Sequence, residues 1–423
     1  MPGSGAEAKG AQSRLWRRVL LLGILAVLVA VAVLVGRPPA ALPPDLVLSG
    51  AERGGNVSLA RDCGYSAPLP SDPRRSLWLF CDTPVYVRGQ TASGGVAWAL
   101  RLFIPGSTAA EGRAVAGASP GRRVPGQLSE VGTPRAAGAA PGGVPSAGDA
   151  PAPRQAPTPF LLPPGGLVTS LGRPCGSDGS YAASWVSGVT RVPGSPDLLI
   201  AFNNYCVQSG AGGFLPEGFG LAEYDPATGT LSNDAIVFSG MNLVVAGAAK
   251  MLGSPVFSGR YLYLFGPTCT AVAHGGCATG TLFEARVPAT PRAWSDPLNY
   301  RWHSSDAPGS WTPDPVAATS VITGATPSAV SVADMPGAGR QFILVEQTDL
   351  NGDFSVYESP APAGTWHPVM SGRVPCRPGA GLLNFCRAII VHPELSTPTQ
   401  LVLSYFDPGA GPGGHVMVAV FDW

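Results

Sequence analysis

Short apolar strands recur along the chain, and each of them ends in a polar turn. The five runs read SLWLFCDT, DLLIAFNNYC, YLYLFGPTC, QFILVEQTD and LVLSYFD. Each run follows a strand-like stretch of small residues and precedes an amphipathic strand, such as CGYSAPL before the first run and HVMVAVFDW after the last. Short apolar runs bounded by turn residues are typical of β-strands. The pattern therefore predicts an all-β domain made of five similar units.

A repeat of this kind is typical of a five-bladed β-propeller. Outside the first unit, successive units begin roughly 60 to 80 residues apart, a little long for a four-stranded blade. A β-sandwich is the alternative all-β architecture, but its strands would not recur in this order. We therefore predict a propeller over residues 50–423, and the 56 glycines and 45 prolines agree with many turns and few helices.

Residues 105–159 interrupt this pattern. No Phe, Trp or Tyr occurs between Phe103 and Phe160, and Gly, Ala, Pro and Ser dominate the segment. Such a composition buries too little apolar surface to offset the entropy cost of ordering the chain. We expect a disordered Gly/Ala/Pro-rich insertion in the first blade.

The N-terminal region contains a long uncharged run from Val19 to Gly36. Eighteen helical residues span about 27 Å, enough to cross the apolar core of a bilayer. Basic residues are concentrated before the run, which favours a cytoplasmic N-terminus. We predict a basic cytoplasmic tail (1–18), a single-pass transmembrane signal anchor (19–36), a linker (37–49) and an extracytoplasmic C-terminal domain. A cleaved signal peptide is the alternative.

Charge and cysteine usage exclude several classes of function. Charged residues make up 13% of the chain and the net charge is zero, so we expect no nucleic-acid partner. No C-x-x-C pair occurs, and the five histidines lie too far apart to suggest a metal site. No phosphate-binding glycine loop is present, and we expect no cofactor. The eight cysteines all follow the apolar run, which favours disulfides in an exported domain.

The blade assignment predicts which cysteines pair. The inner strand of a propeller blade starts at the rim of the central channel to which the second strand returns, so the two ends are neighbours. Sequence alone permits 105 pairings of eight cysteines. The blade scheme selects four sequential bridges, namely Cys63–Cys81, Cys175–Cys206, Cys269–Cys277 and Cys376–Cys386.

The same scheme places Asp62 and Asp82 side by side on that rim. Two neighbouring carboxylates can serve as acid and base, or as nucleophile and helper, in glycoside hydrolysis. Their proximity would raise the pKa of one carboxyl and leave the other ionised. The alternative is structural, because aspartates at strand ends often accept hydrogen bonds from turn amides.

These motifs resemble those of a known family. RDCGYS and WLFCDT are similar to RDGGYS and WLFGDT in a domain-of-unknown-function family of five-bladed propellers, some of which are endo-D-arabinanases that cut mycobacterial arabinan. HPELS followed by LVLSY resembles the last blade of the same family. The resemblance implies that Asp62 and Asp82 are the paired acidic residues. Cys63 and Cys81 stand where the family tends to have glycine.

Other polar residues on the rim are weaker candidates. We predict substrate contacts for Tyr65, Asp178, Asn203 and Glu346, although polar strand ends in a propeller are usually structural. His392 and Glu394 form a second acid–base pair in the sequence, but the blade scheme places them at the opposite rim, where a turn explains them better.

The sequence therefore predicts a membrane-anchored, extracytoplasmic propeller that acts on cell-envelope polysaccharide. The enzymatic interpretation is an arabinan-type glycoside hydrolase that uses Asp62 and Asp82. The alternative is a non-catalytic propeller that binds carbohydrate or serves as an envelope scaffold.

Overall fold

The structure is a computed structural model that describes residues 46–47, 56–91, 93–116, 123–125, 128–136, 156–163, 165, 174–208, 213–239, 251–273, 276–304, 309–325, 328–335, 342–377 and 385–423. Residues 41–423 form one compact unit. Within the described ranges, no helix is long and apolar enough to cross a membrane. The predicted tail and anchor, and nearly all of the predicted linker, lie outside them.

The described chain is almost entirely β-structure. In the first part of the chain the strands are β1 (Leu46–Val47), β2 (Val57–Leu59), β3 (Cys63–Pro68), β4 (Arg75–Phe80), β5 (Thr83–Gln90), β6 (Val96–Ile104), β7 (Thr108–Ala116), β8 (Arg123–Pro125), β9 (Ser129–Val131), β10 (Arg135–Ala136), β11 (Cys175–Asp178), β12 (Tyr181–Arg191), β13 (Leu198–Val207), β14 (Phe214–Asp225) and β15 (Thr230–Ser239).

The remaining strands are β16 (Gly253–Ser258), β17 (Tyr261–Ala273), β18 (Gly276–Pro288), β19 (Arg301–His303), β20 (Trp311–Thr312), β21 (Ala329–Asp334), β22 (Phe342–Gln347), β23 (Asp353–Ser359), β24 (His367–Arg373), β25 (Arg387–Val391), β26 (Gln400–Asp407) and β27 (His415–Asp422). A helix over Pro291–Trp294 and 3₁₀ turns at Pro297–Asn299 and Pro315–Ala317 interrupt them. The all-β class is confirmed.

Five of the sheets are arranged in a closed ring. They are built on β3-β4-β7, β12 to β15, β16 to β20, β21 to β24 and β25 to β27, and their strands pair antiparallel. The short β10 adds to the second sheet in parallel. The first strands of these sheets contact one another in the cycle β3, β12, β16, β21, β25 and back to β3.

Each of the five hydrophobic cores lies between two neighbouring sheets of the ring. Phe219 of the second sheet and Leu264 of the third belong to one core, while Trp78 of the first and Val418 of the last belong to another. Because each sheet is covered on both faces, its middle strands are largely buried and mostly apolar. All six residues of β22 are buried, and only the last two, Glu346 and Gln347, are polar. This explains why apolar runs, rather than alternating patterns, marked the five units.

The last sheet of the ring includes the first described strand. β1 pairs antiparallel with β27, so that Leu46 lies opposite Val418 and Val47 opposite Met417. Residues from both ends of the described chain therefore complete the same sheet.

The first sheet differs from the prediction. VAWALRLF was predicted as its third strand, but that sequence forms β6, which pairs with β5 in a separate sheet of order β2-β5-β6. The third strand is β7, which pairs with β4 and lies within the segment predicted to be disordered. Ala109 and Ala110 are fully buried, since small side chains fill the narrow space beside β4. The prediction of a disordered insertion over 105–159 is therefore wrong for residues 108–116.

Three of the four predicted disulfides are confirmed. The Cα atoms are 5.4 Å apart in Cys63–Cys81, 5.6 Å in Cys175–Cys206 and 6.0 Å in Cys376–Cys386, within the range that disulfides require. Cys269 and Cys277 lie on the paired strands β17 and β18, but their side chains are outside the described part, so this bridge stays a prediction.

Candidate active site

The backbone places Asp62 and Asp82 next to each other, as predicted. Asp62 precedes β3 and Asp82 follows β4, and these antiparallel strands begin and end at the same rim. The amide of Asp62 donates to the carbonyl of Asp82 (3.3 Å), and the amide of Cys81 donates to the carbonyl of Asp62 (2.9 Å). The Cys63–Cys81 disulfide joins the same two strand ends.

A β-bulge at the start of β3 shapes this corner. The register of β3 against β4 shifts between Cys63 and Tyr65. Cys63 has a φ of +63°, a left-handed conformation that costs a non-glycine residue roughly 1–2 kcal/mol. Bulges of this kind redirect side chains near functional sites. The carboxylate of Asp62 turns back and accepts a hydrogen bond from the amide of Cys63 (2.7 Å).

Asp62 is paired with Arg387, the first residue of β25. The Nε of Arg387 donates to Oδ2 of Asp62 at 2.7 Å, and the two side chains are 27% and 22% exposed, respectively. The guanidinium lies over the ring of Phe406, with 3.8 Å to its centroid. A charge-assisted hydrogen bond from a guanidinium favours the ionised carboxylate. The Asp62 side chain is therefore ion-paired but still partly accessible.

Asp82 has a different environment, formed by three hydrogen-bond donors. Gly106 N and Trp185 Nε1 donate to Oδ1, each at 2.8 Å, and the Tyr181 hydroxyl donates to Oδ2 at 2.6 Å. Burial raises the pKa of Asp82 to about 6, these donors oppose the increase, and the nearby Asp62 carboxylate adds to it. The carboxyl of Asp82 thus changes its protonation state close to neutral pH.

Aromatic side chains form the walls around the two aspartates. Tyr181 packs edge-on against Phe103 (5.2 Å between centroids), and Trp185 packs against Tyr205 (4.4 Å). Tyr65 is half-buried, and burial, followed by the Asp62 carboxylate, raises the pKa of its hydroxyl. Tyr181, Trp185 and Tyr65 all retain partial exposure, so an apolar ligand face has surfaces to contact.

The other predicted substrate-binding residues have structural contacts or are not described. Asn203 is buried and bonds both ways with Leu252, donating from Nδ2 to the carbonyl (2.8 Å) and accepting from the amide (3.3 Å). Glu346 is buried within its sheet and accepts from the Tyr357 hydroxyl at 3.0 Å. These two assignments are corrected, because satisfied polar groups that join sheets or strands are unavailable to a ligand. The side chain of Asp178 lies outside the described part.

Sequence reasoning missed four partners of the aspartates, namely Arg387, Tyr181, Trp185 and Gly106. Arg387 follows the rim cysteine Cys386 directly, and this adjacency was a signal for its position. Tyr181 is the first residue of β12, but nothing in the sequence around a single tyrosine indicates that it contacts an aspartate of another sheet. Gly106 was unreachable because it lies in the segment predicted to be disordered.

A second cluster lies at the opposite end of the inner strands. There a cavity of about 510 Å³ is lined by the later halves of these strands and the residues after them, including Pro68, Val192, Phe257, Asp334 and Glu394. The Ser66 hydroxyl bonds to Nδ1 of His392 (2.7 Å) and to the Glu394 carboxylate. Burial lowers the pKa of His392 to about 3 and raises the pKa of Glu394.

The predicted turn at His392 is confirmed. The amides of Leu395 and Ser396 both donate to the carbonyl of His392, at 3.2 and 3.1 Å. His392 is fully buried and neutral at ordinary pH, which makes it a poor partner for acid–base exchange with Glu394. Among the side chains that the structure describes, no group of three or more His, Cys, Asp and Glu could hold a metal ion.

No family model and no curated protein matches this sequence. Among solved structures, a putative hydrolase from Bacteroides ovatus is 14% identical, with 92% of this chain and 97% of that chain aligned and a TM-score of 0.49. The GH93 α-L-arabinofuranosidase of Fusarium graminearum, solved with arabinobiose, is 10% identical over 91% and 98%, with a TM-score of 0.38. The GH43_1 enzyme from Xanthomonas citri, complexed with xylose, is 12% identical over 90% of each chain, with a TM-score of 0.39. All three TM-scores are below 0.5, so the architecture rests on the strand pairing described above.

Proposed function

We propose that this chain is a five-bladed β-propeller glycoside hydrolase that acts on an arabinan-type cell-envelope polysaccharide. In this proposal residues 19–36 anchor the protein in the membrane, and the propeller lies outside it. The blade count is supported by the closed cycle of five first strands and by a core between each neighbouring pair of sheets. The observation that carries the activity is the pair Asp62 and Asp82, which share one rim but differ in their partners.

The two environments assign different roles to the carboxyls. Asp62, paired with Arg387, serves as the carboxylate that acts as base or nucleophile. Asp82, whose pKa is raised to about 6, carries a proton on a useful fraction of molecules and serves as the general acid. It donates that proton to the glycosidic oxygen as the bond to the leaving sugar breaks. Separating the pKa values of two neighbouring carboxyls is how glycosidases divide these roles.

The proton on Asp82 also has a place to reside before the reaction. In the ionised state both carboxylate oxygens accept hydrogen bonds. When Oδ2 is protonated, it can donate to the Tyr181 oxygen, because a phenol can accept as well as donate. Tyr181 therefore holds the acid in position in both protonation states, and burial keeps the pKa of the phenol above its ordinary value, so it remains neutral.

The test is the release of oligosaccharides by residues 41–423 from arabinan and arabinogalactan, followed by chromatography. We expect release by the unaltered domain and loss of release in Asp62→Asn and Asp82→Asn. Asp422→Asn is the matched control, since Asp422 is exposed at the end of β27 away from the rim. Binding of arabinan without release, unchanged in both variants, would contradict the proposed activity.

One observation favours the non-catalytic alternative. Both oxygens of Asp82 have donors and Asp62 is ion-paired, so each carboxylate is satisfied within the protein. A carbohydrate-binding or scaffold propeller would show saturable binding that depends on Tyr65 and Trp185 but not on the charge of either aspartate. Isothermal titration with arabinan oligosaccharides separates the two functions.

A further inference from the structure

A hairpin projects from the ring beside Asp82. It consists of β5 and β6, which begin at Thr83 and end at Ile104, and β2 is its third strand. Its base is fixed at the candidate site, since Gly106 donates to Asp82 and Phe103 packs on Tyr181. Among the described strands β6 pairs with β5 alone, so its outer backbone edge is open.

Both faces of this hairpin expose large apolar side chains. Val96 and Leu100 are each 55% exposed and Leu102 is 47% exposed. The register of β5 against β6 shifts at this point, so that Leu102 lies opposite Val85 and Leu100 opposite Tyr86. Val85 and Tyr86 are adjacent in β5 and point to opposite faces. The two leucines therefore lie on different sides of the sheet. A partner protein or a sugar chain would cover one side, whereas an apolar medium surrounds both.

All the charged residues of the hairpin are positive. Residues 83–104 contain Arg88 and Arg101 and no Asp or Glu, in a chain whose net charge is zero. Both arginines are exposed. Exposed apolar side chains next to basic residues are typical of segments that lie in the headgroup region of anionic bilayers.

The open edge of β6 limits how deeply the hairpin could enter. Unpaired amide and carbonyl groups are too costly in the hydrocarbon core, so the hairpin can lie at the interface but cannot span the bilayer. Trp98, half-buried between Val96 and Leu100, has the amphipathic ring that is enriched at this depth. In addition, only nine residues separate Gly36, the end of the predicted anchor, from Leu46. They span at most about 30 Å when fully extended.

We propose that the β5–β6 hairpin docks onto an anionic membrane surface. The arginines meet the lipid headgroups, while Val96, Leu100 and Leu102 enter the boundary of the acyl chains. Because the hairpin starts directly after Asp82, docking holds the rim with both aspartates toward the bilayer. This contact does not depend on catalysis, and a protein without hydrolytic activity would show it equally.

The first test uses the full chain in nanodiscs. Ala97→Cys, on the hairpin, is labelled with the environment-sensitive fluorophore NBD, and Ala227→Cys, in an exposed turn of the second sheet, is the matched control. We expect a blue shift and a gain in intensity at position 97 when phosphatidylglycerol is added to phosphatidylcholine discs, and no change at position 227. Equal responses at the two positions, or none, would overturn the proposal.

The second test uses residues 41–423, the compact unit. It is mixed with vesicles of phosphatidylcholine alone, or with vesicles in which about a third of the lipid is anionic phosphatidylglycerol. We expect sedimentation with the anionic vesicles to weaken by about tenfold in Arg88→Gln/Arg101→Gln and to be lost in Leu100→Ser/Leu102→Ser. Oligosaccharide release from soluble arabinan should persist in both variants. The proposal is wrong if the parent protein does not bind the vesicles. In that case, loss of a dimer in the leucine variant, seen by light scattering, would identify a second copy as the occupant of the hairpin. Loss of arabinan binding in that variant would identify the polysaccharide.

Discussion

Acidic groups lie at both ends of the inner strands, but their environments differ. At the Asp62 end, one carboxylate is ion-paired and accessible, while the other has a pKa near 6. At the Glu394 end, the carboxyl and His392 share the single hydroxyl of Ser66 beneath a turn. Proximity of titratable groups is common to both ends. What distinguishes the candidate active site is that one carboxylate is ion-paired with Arg387, whereas burial raises the pKa of the other to about 6.

Asp82 at one end and His392 at the other should respond to pH with opposite sign. Asp82 has a folded-state pKa above its ordinary 3.8, so its contribution to stability is present in acid and is lost as the pH rises through about 6. His392 has a folded-state pKa of about 3, below its ordinary 6.5. Its contribution is present near neutral pH and is lost as the pH falls from about 6.5 toward 3.

The largest effect is expected for Asp82→Asn. Loss of the general acid should lower the rate of arabinan hydrolysis by about 10³-fold. The amide fits the same site, since its oxygen can accept from Gly106 and Trp185 while its nitrogen donates to the Tyr181 oxygen. The variant avoids the cost of a buried anion, and we expect it to be more stable than the parent by about 1–3 kcal/mol at pH 8.

Urea unfolding at pH 8 and at pH 4 checks this prediction. The gain in stability should shrink toward zero at pH 4, where the parent carboxyl is protonated as well. Asp422→Asn should change neither rate nor stability. A destabilised Asp82→Asn variant with a normal rate would show that Asp82 has a structural role alone.

The disulfide at the rim should have the next largest effect. The double substitution Cys63→Gly/Cys81→Gly removes a bridge that closes an 18-residue separation, a loss of about 3 kcal/mol of unfolding free energy. Glycine at position 63 returns part of this, because the φ of +63° costs glycine nothing. We therefore expect a net loss smaller than that of Cys63→Ala/Cys81→Ala, measured by urea unfolding. Equal losses in the two variants would show that the backbone at Cys63 is not strained.

Arg387→Gln should have an intermediate effect on activity. Without the guanidinium, the Asp62 carboxylate loses its ion-pair partner, so we expect the rate of arabinan hydrolysis to fall by roughly 10 to 100-fold. Arg387→Lys keeps the charge beside Asp62 but not the flat contact with Phe406, and it should recover part of the rate. An unchanged rate in Arg387→Gln would show that the ion pair with Asp62 has no part in the reaction.

The smallest effect is expected at the opposite end of the ring. Ser66→Ala removes the hydroxyl that bonds to both His392 and Glu394, and should lower the unfolding free energy by about 1–3 kcal/mol. The rate of arabinan hydrolysis at a temperature well below the melting point should not change. A rate loss comparable to that of Asp82→Asn would connect the two ends functionally and remove the contrast between them.

The sequence predicted the repeated strands of the five sheets, but not the features that occur only once, such as the β5–β6 hairpin and β7. Five apolar runs predicted five sheets, since a strand covered on both faces is apolar along most of its length, as β13 and β22 are. Three of the disulfides and the pairing of Asp62 with Asp82 followed from strand ends that share a rim. The sequence of β6 was assigned to the first sheet because its apolar residues have the pattern of a buried strand. In the structure, Val96, Leu100 and Leu102 are exposed. β7 was missed because alanine carries almost no signal of its own.

The partners of the aspartates were harder to predict because most of them come from other sheets of the ring. Arg387 lies 325 residues after Asp62 in the chain, and Trp185 lies 103 residues after Asp82. Only the closure of the ring brings them together, and the angle at which neighbouring sheets pack is not encoded in the period of any one strand. The identity of the two acids was therefore readable, whereas their electrostatic roles were not.

The pairing of β1 with β27 has a mechanical consequence. Any force applied to the N-terminal segment reaches the ring first through Leu46 and Val47, a strand of two residues with few hydrogen bonds. Tension would peel this strand from Val418 and Met417 before it loads the disulfide-bonded first sheet. β1 is thus the weakest element under load, and single-molecule pulling from the N-terminus should show a small early extension before the main unfolding event.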